Sequence, residues 1–107
     1  MTILIIGGAA QGKTAFARTL SPEADIVDDL HVRVQRAMRD HTPLPKAADF
    51  VGKTVVCNEV GGGVVPMDAF EREWREYTGR LCCDIAAQAD QVYRMYCGIA
   101  TCIKGAS

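Results

Sequence analysis

The sequence has almost no net charge, no long apolar run and no internal repeat. Its 107 residues carry a formal net charge of -1, so no strong field would attract nucleic acid or an anionic membrane. No apolar stretch approaches the ~20 residues of a membrane-spanning helix, and the apolar start MTILIIGG lacks a basic leader and is too short for a signal peptide. We therefore expect a cytoplasmic protein without a membrane span or a nucleic-acid partner, folded as one domain over residues 1–107.

Cysteine pairs with metal-ligand spacing are also missing. The chain has five cysteines, an odd number, and no C-x-x-C pair. The neighbouring Cys82 and Cys83 would point to different faces of a helix, and no histidine stands at metal spacing from either of them. We expect reduced thiols that pack as small apolar groups.

Apolar runs and turn residues divide the first half of the chain into strands and helices. Residues 3–6 (ILII) form an apolar run that ends at glycines, which is typical of a buried parallel strand. A helix over 12–20, a short strand over 24–29 and a helix over 30–41 are predicted to follow. The second of these helices has its apolar residues on one stripe, namely Leu30, Val34, Ala37 and Met38.

The second half continues the alternation. A loop with two prolines over 41–50 leads to a buried strand over 54–57. Pro66 suits the first turn of a long helix that ends near Ala89. Apolar residues recur along that helix at helical spacing, at Phe70, Trp74, Tyr77, Leu81 and Ile85.

Two strands and one exception complete this pattern. Residues 91–97 predict a further strand, and residues 99–104 an additional strand at the sheet edge. Gly79 lies inside the long helix at a cost of about 1 kcal/mol relative to alanine, so we expect close packing there. Strands that alternate with helices indicate an α/β domain of three layers, with a mostly parallel sheet of about four or five strands and helices on both faces.

Residues 7–14, GGAAQGKT, match the phosphate-loop pattern G-x-x-x-x-G-K-[ST] in full. Glycines let successive N–H groups wrap a phosphate, and the following helix adds its positive end. The context, a strand before and a helix after, predicts a P-loop NTPase-like domain. A glycine turn with a solvated lysine is the alternative, but it does not explain the order Lys-Thr. The predicted nucleotide-binding residues are Gly7, Gly8, Ala9, Ala10, Gln11, Gly12, Lys13 and Thr14.

An acidic residue at the end of a neighbouring strand completes such a site. Lys13 would reach the β- and γ-phosphates, and the hydroxyl of Thr14 would bind Mg²⁺. Asp28 follows the apolar pair Ile26-Val27 and is the predicted carboxylate on the metal side. Asp28 or Asp29 could instead cap the helix that begins near Leu30, and both roles can be filled, one by each aspartate.

A second acidic residue ends the strand over 54–57. Glu59 precedes a glycine-rich loop, and its strand should lie in the same sheet as the phosphate-loop strand. Glu59 could therefore face the same cleft and act in catalysis or ligand binding. It could equally bond loop N–H groups and have no other role.

These stretches together resemble the adenosylcobinamide kinase / adenosylcobinamide-phosphate guanylyltransferase family of cobalamin biosynthesis. Its members begin with a strand and a GGARSGKS-like loop, and they carry NEVG-x-G-I-V-P, where this chain has NEVGGGVVP over 58–66. VDDLH over 27–31 is similar to the family's LDCLT strand end, which places Asp28 at its acidic position.

Later family motifs follow in the same order. Gly79-Arg80 matches a GR pair, AAQADQV over 86–92 matches a helix-to-strand junction, and Gly98-Ile99 matches a GI pair. The similarity covers residues 54–104 almost without gaps. The asparagine that commonly follows the GR pair is replaced here by Cys82.

One family segment is missing. Family members are typically longer and carry, between the first helix and the acidic strand end, a histidine that becomes guanylylated. Here only a few residues separate Leu20 from Asp28, and the only histidines are His31 and His41, neither of which matches that position. We expect His31 to be a helix residue and His41 a solvated loop residue, both without a discernible partner.

The resemblance implies a kinase step more than a guanylyl transfer. ATP or GTP would bind on residues 7–14 with Mg²⁺, Lys13 and Asp28 would act in phosphoryl transfer, and Glu59 would orient or deprotonate a corrinoid hydroxyl. A homo-oligomer is implied as well. The alternative is a nucleotide-binding regulatory module without transferase activity. We expect Arg33, Arg36 and Arg39 to form a solvated helix face.

Overall fold

The computed structural model describes residues 1–8, 12–59 and 68–105, and this part of the chain forms five strands and three α-helices. In chain order they are β1 (Ile3–Gly7), α1 (Lys13–Leu20), β2 (Ile26–Val27), α2 (Leu30–Asp40), β3 (Thr54–Asn58), α3 (Ala69–Gln88), β4 (Gln91–Tyr96) and β5 (Ile99–Lys104). The alternation of strands and helices confirms the α/β prediction.

The five strands form one sheet in the order β2-β3-β1-β4-β5. The first four strands are parallel, and β5 pairs antiparallel with β4 at one edge. Gly7 of β1 pairs with Asn58 of β3 on one side and with Met95 of β4 on the other. The carboxyl ends of the parallel strands therefore meet at one edge of the sheet, where α/β proteins bind their ligands.

Helices cover both faces of the sheet, as the sequence predicts. On one face, Leu30 and Val34 of α2 and Leu81 and Ile85 of α3 pack against a core that includes Leu4 of β1. The opposite face packs against α1, with Ala17 of the helix beside the strand residues Ile3, Ile5, Val56 and Met95. Most residues of the predicted apolar stripes of α2 and α3 lie in or against the first core, but Ala37 and Phe70 are not part of it.

The strand predicted over 24–29 is shorter than expected. Residues Glu23–Asp25 form a 3-10 turn, and only Ile26–Val27 pair with β3. Asp29 then adopts φ 51°, a left-handed conformation that ends the extended chain directly before α2. The 3-10 turn thus shortens the strand at its start, and the left-handed conformation of Asp29 ends the extended chain after it.

The reason expected for Gly79 is wrong. A Cβ placed on Gly79 meets no heavy atom within 4 Å, so close packing does not require this glycine, and nothing in the structure explains it. Gly7 differs, because a Cβ there would lie 2.7 Å from the carbonyl oxygen of Met95. At the end of β1 only glycine fits between its neighbours.

The start of α3 depends on a side-chain cap. Asp68 precedes the helix, and its Oδ1 accepts a hydrogen bond of 2.7 Å from the backbone N–H of Glu71. Pro66, the predicted first-turn residue, lies outside the described residues. None of the described helices is long and apolar enough to cross a membrane.

None of the five cysteines forms a disulfide, as expected, but not all of them pack as apolar groups. Cys57 is fully buried, and Cys82 and Cys102 are partly buried. Cys83 and Cys97 are exposed, which corrects the expectation for those two. Cys83 lies on the solvent side of α3 because its neighbour Cys82 takes the side that faces the core.

Candidate phosphate-binding site

The predicted phosphate loop joins the carboxyl end of β1 to the start of α1. Gly12 occupies the position before the helix with φ 80°, a left-handed conformation that glycine adopts without strain. Gly7 is buried at the end of β1, and Gly8 is exposed. The predicted residues Ala9, Ala10 and Gln11 lie outside the described part of the chain.

Lys13 folds back onto its own loop. It is the first residue of α1, only 6% exposed, and its Nζ donates a hydrogen bond to the backbone carbonyl of Gly8. Among the described residues it forms no ion pair with a carboxylate. A buried ammonium group balanced only by a carbonyl dipole has a strong unmet preference for an anion.

Thr14 and Asp28 meet although 14 positions separate them in the sequence. The Thr14 hydroxyl donates a 2.9 Å hydrogen bond to Oδ1 of Asp28, and this same oxygen accepts from the backbone N–H of Asp29 at 3.0 Å. The structure thus brings together the two residues predicted on the metal side. Asp29 takes the cap position of α2, but its side chain makes no capping hydrogen bond there.

Glu59 lies at the same edge of the sheet, directly after β3, the strand between β2 and β1. Its backbone N–H donates to the carbonyl of Gly7 at 2.9 Å, which fixes the chain beside the loop. Its carboxylate pairs with Arg94 of β4 at 3.2 Å from Nε. Within the described residues the partner of this carboxylate is therefore a guanidinium group, and the catalytic role of Glu59 stays a prediction.

Sequence reasoning missed Arg94. Its position follows from the sheet register, in which Arg94 pairs with Ile6 of β1, next to the phosphate loop. The sequence separation from Glu59 is 35 residues, and no local pattern joins them. Only the strand order, with β1 between β3 and β4, places the two side chains together.

The expectation that His31 has no partner is wrong. Its Nδ1 accepts a 3.2 Å hydrogen bond from the backbone N–H of Asn58, and its carbonyl accepts 2.8 Å from Nε1 of Trp74. Since β2 ends at Val27, the imidazole satisfies an N–H of β3 that a longer strand would have paired. His41, in contrast, is exposed at the end of α2, as expected.

Burial lowers the pKa of His31 below its ordinary value of 6.5. Lys13 lowers it further, whereas the nearby carboxylates of Asp29 and Asp28 raise it without cancelling the effect of burial. The lowered pKa fits the hydrogen bond, because an Nδ1 that accepts from an N–H carries no proton. His31 is therefore a neutral residue that stands within electrostatic reach of the phosphate loop.

The side-chain oxygen atoms at the carboxyl edge of the sheet suit a hard cation that takes only a few ligands from the protein. The described residues contain no group of three or more His, Cys, Asp or Glu side chains that could hold a metal ion. The Thr14 hydroxyl and the Asp28 carboxylate are, however, adjacent oxygen donors. Mg²⁺ prefers oxygen and takes only one or two protein ligands when it also binds phosphates and water, so this pair fits it.

Comparison with known proteins identifies the family to which this chain is similar. A stretch of 50 residues is 42% identical to the "Bifunctional adenosylcobalamin biosynthesis protein CobU" of Salmonella typhimurium, and it covers 47% of this chain but 28% of that protein. The chain thus aligns with little more than a quarter of its relative. The family described as "Cobinamide kinase / cobinamide phosphate guanyltransferase" matches residues 24–103, a span that begins after the phosphate loop and includes Asp28 and Glu59. The chain therefore belongs to the cobinamide kinase / cobinamide phosphate guanyltransferase family.

Proposed function

We propose that this protein is a nucleoside-triphosphate-dependent kinase of cobalamin biosynthesis that transfers a phosphoryl group to adenosylcobinamide. The observation that carries the proposal is the contact between Thr14 and Asp28 at 2.9 Å, beside a buried Lys13 that has no carboxylate partner in the described chain. A hydroxyl, a carboxylate and a cation at the carboxyl end of β1 are the groups that phosphoryl transfer requires. Family membership supports the acceptor.

The phosphate loop would bind the triphosphate of ATP or GTP. Lys13 would exchange its hydrogen bond with the Gly8 carbonyl for bonds to the β- and γ-phosphates, a gain because charge-assisted hydrogen bonds are stronger than bonds to a neutral acceptor. Gly12 would present the first N–H groups of α1 to the same phosphates. No base-recognition pattern separates ATP from GTP, and both fit the loop.

Thr14 and Asp28 would hold Mg²⁺, Thr14 through its hydroxyl and Asp28 through its carboxylate, with water between. When bound, the ion neutralises charge on the β- and γ-phosphates. In the structure the two side chains already face each other, so the protein spends little conformational entropy on arranging them.

Glu59 would act on the acceptor hydroxyl. Its ion pair with Arg94 and the hydrogen bond from its backbone N–H to Gly7 restrict the carboxylate to the edge of the sheet at which the phosphate loop begins. A carboxylate so placed can orient the acceptor hydroxyl and accept its proton as the oxygen attacks phosphorus. Arg94 would then be the group that keeps Glu59 in position.

A second candidate function is a nucleotide-binding regulatory module without transferase activity. The alignment covers only 28% of the curated relative, and the resemblance to the family implies that the segment with the guanylylated histidine is missing between Leu20 and Asp28. A domain that has lost part of an enzyme can keep triphosphate binding and act through a partner. Guanylyl transfer is not part of either proposal.

A labelled-phosphate assay separates the two candidates. The protein is incubated with γ-labelled ATP or GTP, Mg²⁺ and adenosylcobinamide, with the Lys13→Met variant as control. Label that moves to the corrinoid only with the unchanged protein supports the kinase. Triphosphate binding without transfer, at saturating Mg²⁺ and corrinoid, leaves the regulatory module. Covalent label from α-labelled GTP on the protein would contradict our exclusion of guanylyl transfer.

We also propose a homo-oligomer. The β4–β5 hairpin exposes large apolar side chains, with Tyr96 72%, Ile99 68% and Ile103 57% accessible, and β5 is an open sheet edge. Apolar edge strands tend to be covered by a second chain. Light scattering should give a mass above 11.6 kDa, and a monomer at micromolar concentration would contradict this proposal. A cytoplasmic location stays a prediction.

A further inference from the structure

A groove runs along the exposed side of α2 and begins at Asp28. It consists of two recesses that share Arg33 and Arg36 in their walls, with cavity volumes of about 260 Å³ and about 570 Å³. The smaller recess is lined by Asp28, Asp29, Val32, Arg33 and Arg36. Because the Asp28 carboxylate contacts Thr14, one end of the groove adjoins the proposed metal and phosphate site.

The two arginines in this wall are not neutralised by carboxylates. Arg18, Arg75, Arg80 and Arg94 each pair with a glutamate, but Arg33 and Arg36 form no ion pair in the described ranges. Arg36 and Asp40 stand one helical turn apart and still do not pair. Arg33 uses its Nε to donate to the backbone carbonyl of Asp28 at 3.2 Å, which directs its guanidinium group to the mouth of the smaller recess.

We propose that Arg33 and Arg36 bind the phosphate group of a phosphorylated acceptor, a phosphate monoester of an amphipathic alcohol. This inference rests on the proposed function and names a subsite within it. Guanidinium groups bind phosphate oxygens in pairs through their planar forks. Arg33 and Arg36 lie one turn apart on α2, so both can reach one phosphate.

The charges in the groove favour this ligand once the phosphate site is filled. Asp28 and Asp29 also line the smaller recess and would repel a phosphate. Binding of Mg²⁺ at Thr14 and Asp28 would compensate the charge of Asp28, which leaves one carboxylate against two guanidinium groups. The subsite is thus suited to the phosphate that has just been transferred, directly beside the site of transfer.

The larger recess suits the part of such an acceptor that does not carry the phosphate. Its wall, formed by α2 and the segment that follows it, carries both apolar and polar groups. Apolar side chains of Ala37, Pro43, Leu44, Pro45 and Phe50 lie beside the carboxylates of Asp40 and Asp49. An amphipathic acceptor can bury its apolar part against these side chains and hydrogen-bond its polar donors to the two carboxylates.

Equilibrium dialysis with detection of corrin absorbance tests the subsite. Dissociation constants for adenosylcobinamide phosphate and for adenosylcobinamide are measured in the presence of Mg²⁺ and triphosphate analogue, with the unchanged protein and with Arg33→Gln, Arg36→Gln and the double variant. Arg39→Gln is the matched control, because Arg39 lies on the same helix but over the ring of Phe70 and outside both recesses. All three arginines are exposed, so the variants should fold.

We expect the unchanged protein to bind adenosylcobinamide phosphate more tightly than adenosylcobinamide. The double variant should lose about a hundredfold in affinity for the phosphorylated form, the value of two charge-assisted hydrogen bonds. Its affinity for adenosylcobinamide should change by less than about twofold, as should both affinities of Arg39→Gln. Three results would each refute the subsite. The unchanged protein could bind the two corrinoids equally, the double variant could keep the preference for the phosphorylated corrinoid, or Arg39→Gln could lose as much affinity for that corrinoid as the double variant does.

The labelled-phosphate assay keeps this proposal distinct from the proposed function. If the protein transfers phosphate to the corrinoid but binds the phosphorylated and unphosphorylated corrinoids equally, the proposed function is supported and the subsite is refuted. A protein that prefers the phosphorylated form through Arg33 and Arg36 but transfers no phosphate keeps the subsite and loses the kinase activity.

Discussion

Replacement of Lys13 by methionine should raise the stability of the free protein and abolish tight triphosphate binding. Lys13 is 6% exposed, and within the described residues its side chain donates a hydrogen bond to a neutral carbonyl. Methionine keeps most of the apolar stem, which lies next to Gly7, and removes a charge that is costly to bury. We expect the free energy of unfolding to rise by about 1 kcal/mol.

The effect on ligand binding has the opposite sign. Loss of two charge-assisted hydrogen bonds to the β- and γ-phosphates costs about 3 kcal/mol, or roughly a hundredfold in affinity. At a triphosphate concentration of about 100 times its dissociation constant, the unchanged protein gains about 2.7 kcal/mol of stability. The variant, with an affinity a hundredfold lower, gains only about 0.4 kcal/mol. The order of the two stabilities should therefore reverse when triphosphate is added.

Urea unfolding followed by the fluorescence of Trp74, the only tryptophan, measures both effects in one series. The control is Lys53→Met, because Lys53 forms an exposed ion pair with Asp25 at 3.7 Å and should change stability by less than about 1 kcal/mol with or without triphosphate. If Lys13→Met destabilises the free protein and leaves its response to triphosphate unchanged, Lys13 is a structural residue and the phosphate-loop hypothesis is refuted.

Three further predictions concern the residues around this loop. Thr14→Val and Asp28→Asn should each remove the Mg²⁺ dependence of triphosphate binding, measured by titration calorimetry with and without the ion, whereas Thr14→Ser should keep it. Because burial lowers the pKa of His31, the unfolded chain takes up this proton before the folded protein does, so stability should decrease as the pH falls through 6.5 toward the lowered pKa. His31→Gln should remove this part of the stability-against-pH curve, and an unchanged slope would contradict the assignment. Gly79→Ala should raise the free energy of unfolding by about 1 kcal/mol, since its position is helical and open, and Gly7→Ala should lower it because its Cβ would meet a backbone carbonyl.

The regular elements could be predicted largely from the sequence. β1, β3, α2, the carboxyl end of α3 and the edge strand β5 lie within one or two residues of their predicted bounds, whereas α3 begins at Ala69, three residues after the predicted first-turn residue Pro66. In these elements apolar residues recur with a clear period, and this pattern can be recognised from residues only a few positions apart in the chain. β2 was overestimated because a 3-10 turn over Glu23–Asp25 precedes it and the left-handed Asp29 follows it, and no apolar pattern encodes either feature.

The candidate site could be predicted only in part. The chemistry of Lys13, Thr14 and Asp28 follows from the loop pattern and from the acidic strand end. The partners of Glu59 and His31 could not be predicted, because Arg94 and Asn58 come from strands that are distant in sequence, 35 and 27 residues away. Such contacts depend on strand order and register, which side-chain patterns within one strand do not specify.

Local sequence patterns suffice to predict the strand–loop–helix unit at the N-terminus and the alternation of strands and helices that makes an α/β sheet. They also identify the residues with side chains suited to phosphate binding. All of these follow from interactions within one or two turns of chain. Only the packing of the elements buries Lys13 without a carboxylate partner among the described residues, brings Thr14 to 2.9 Å from Asp28 and pairs Arg94 with Glu59. The physical reason is that burial and pairing arise where separate elements pack together, and the packing of the whole sheet fixes which side chains meet.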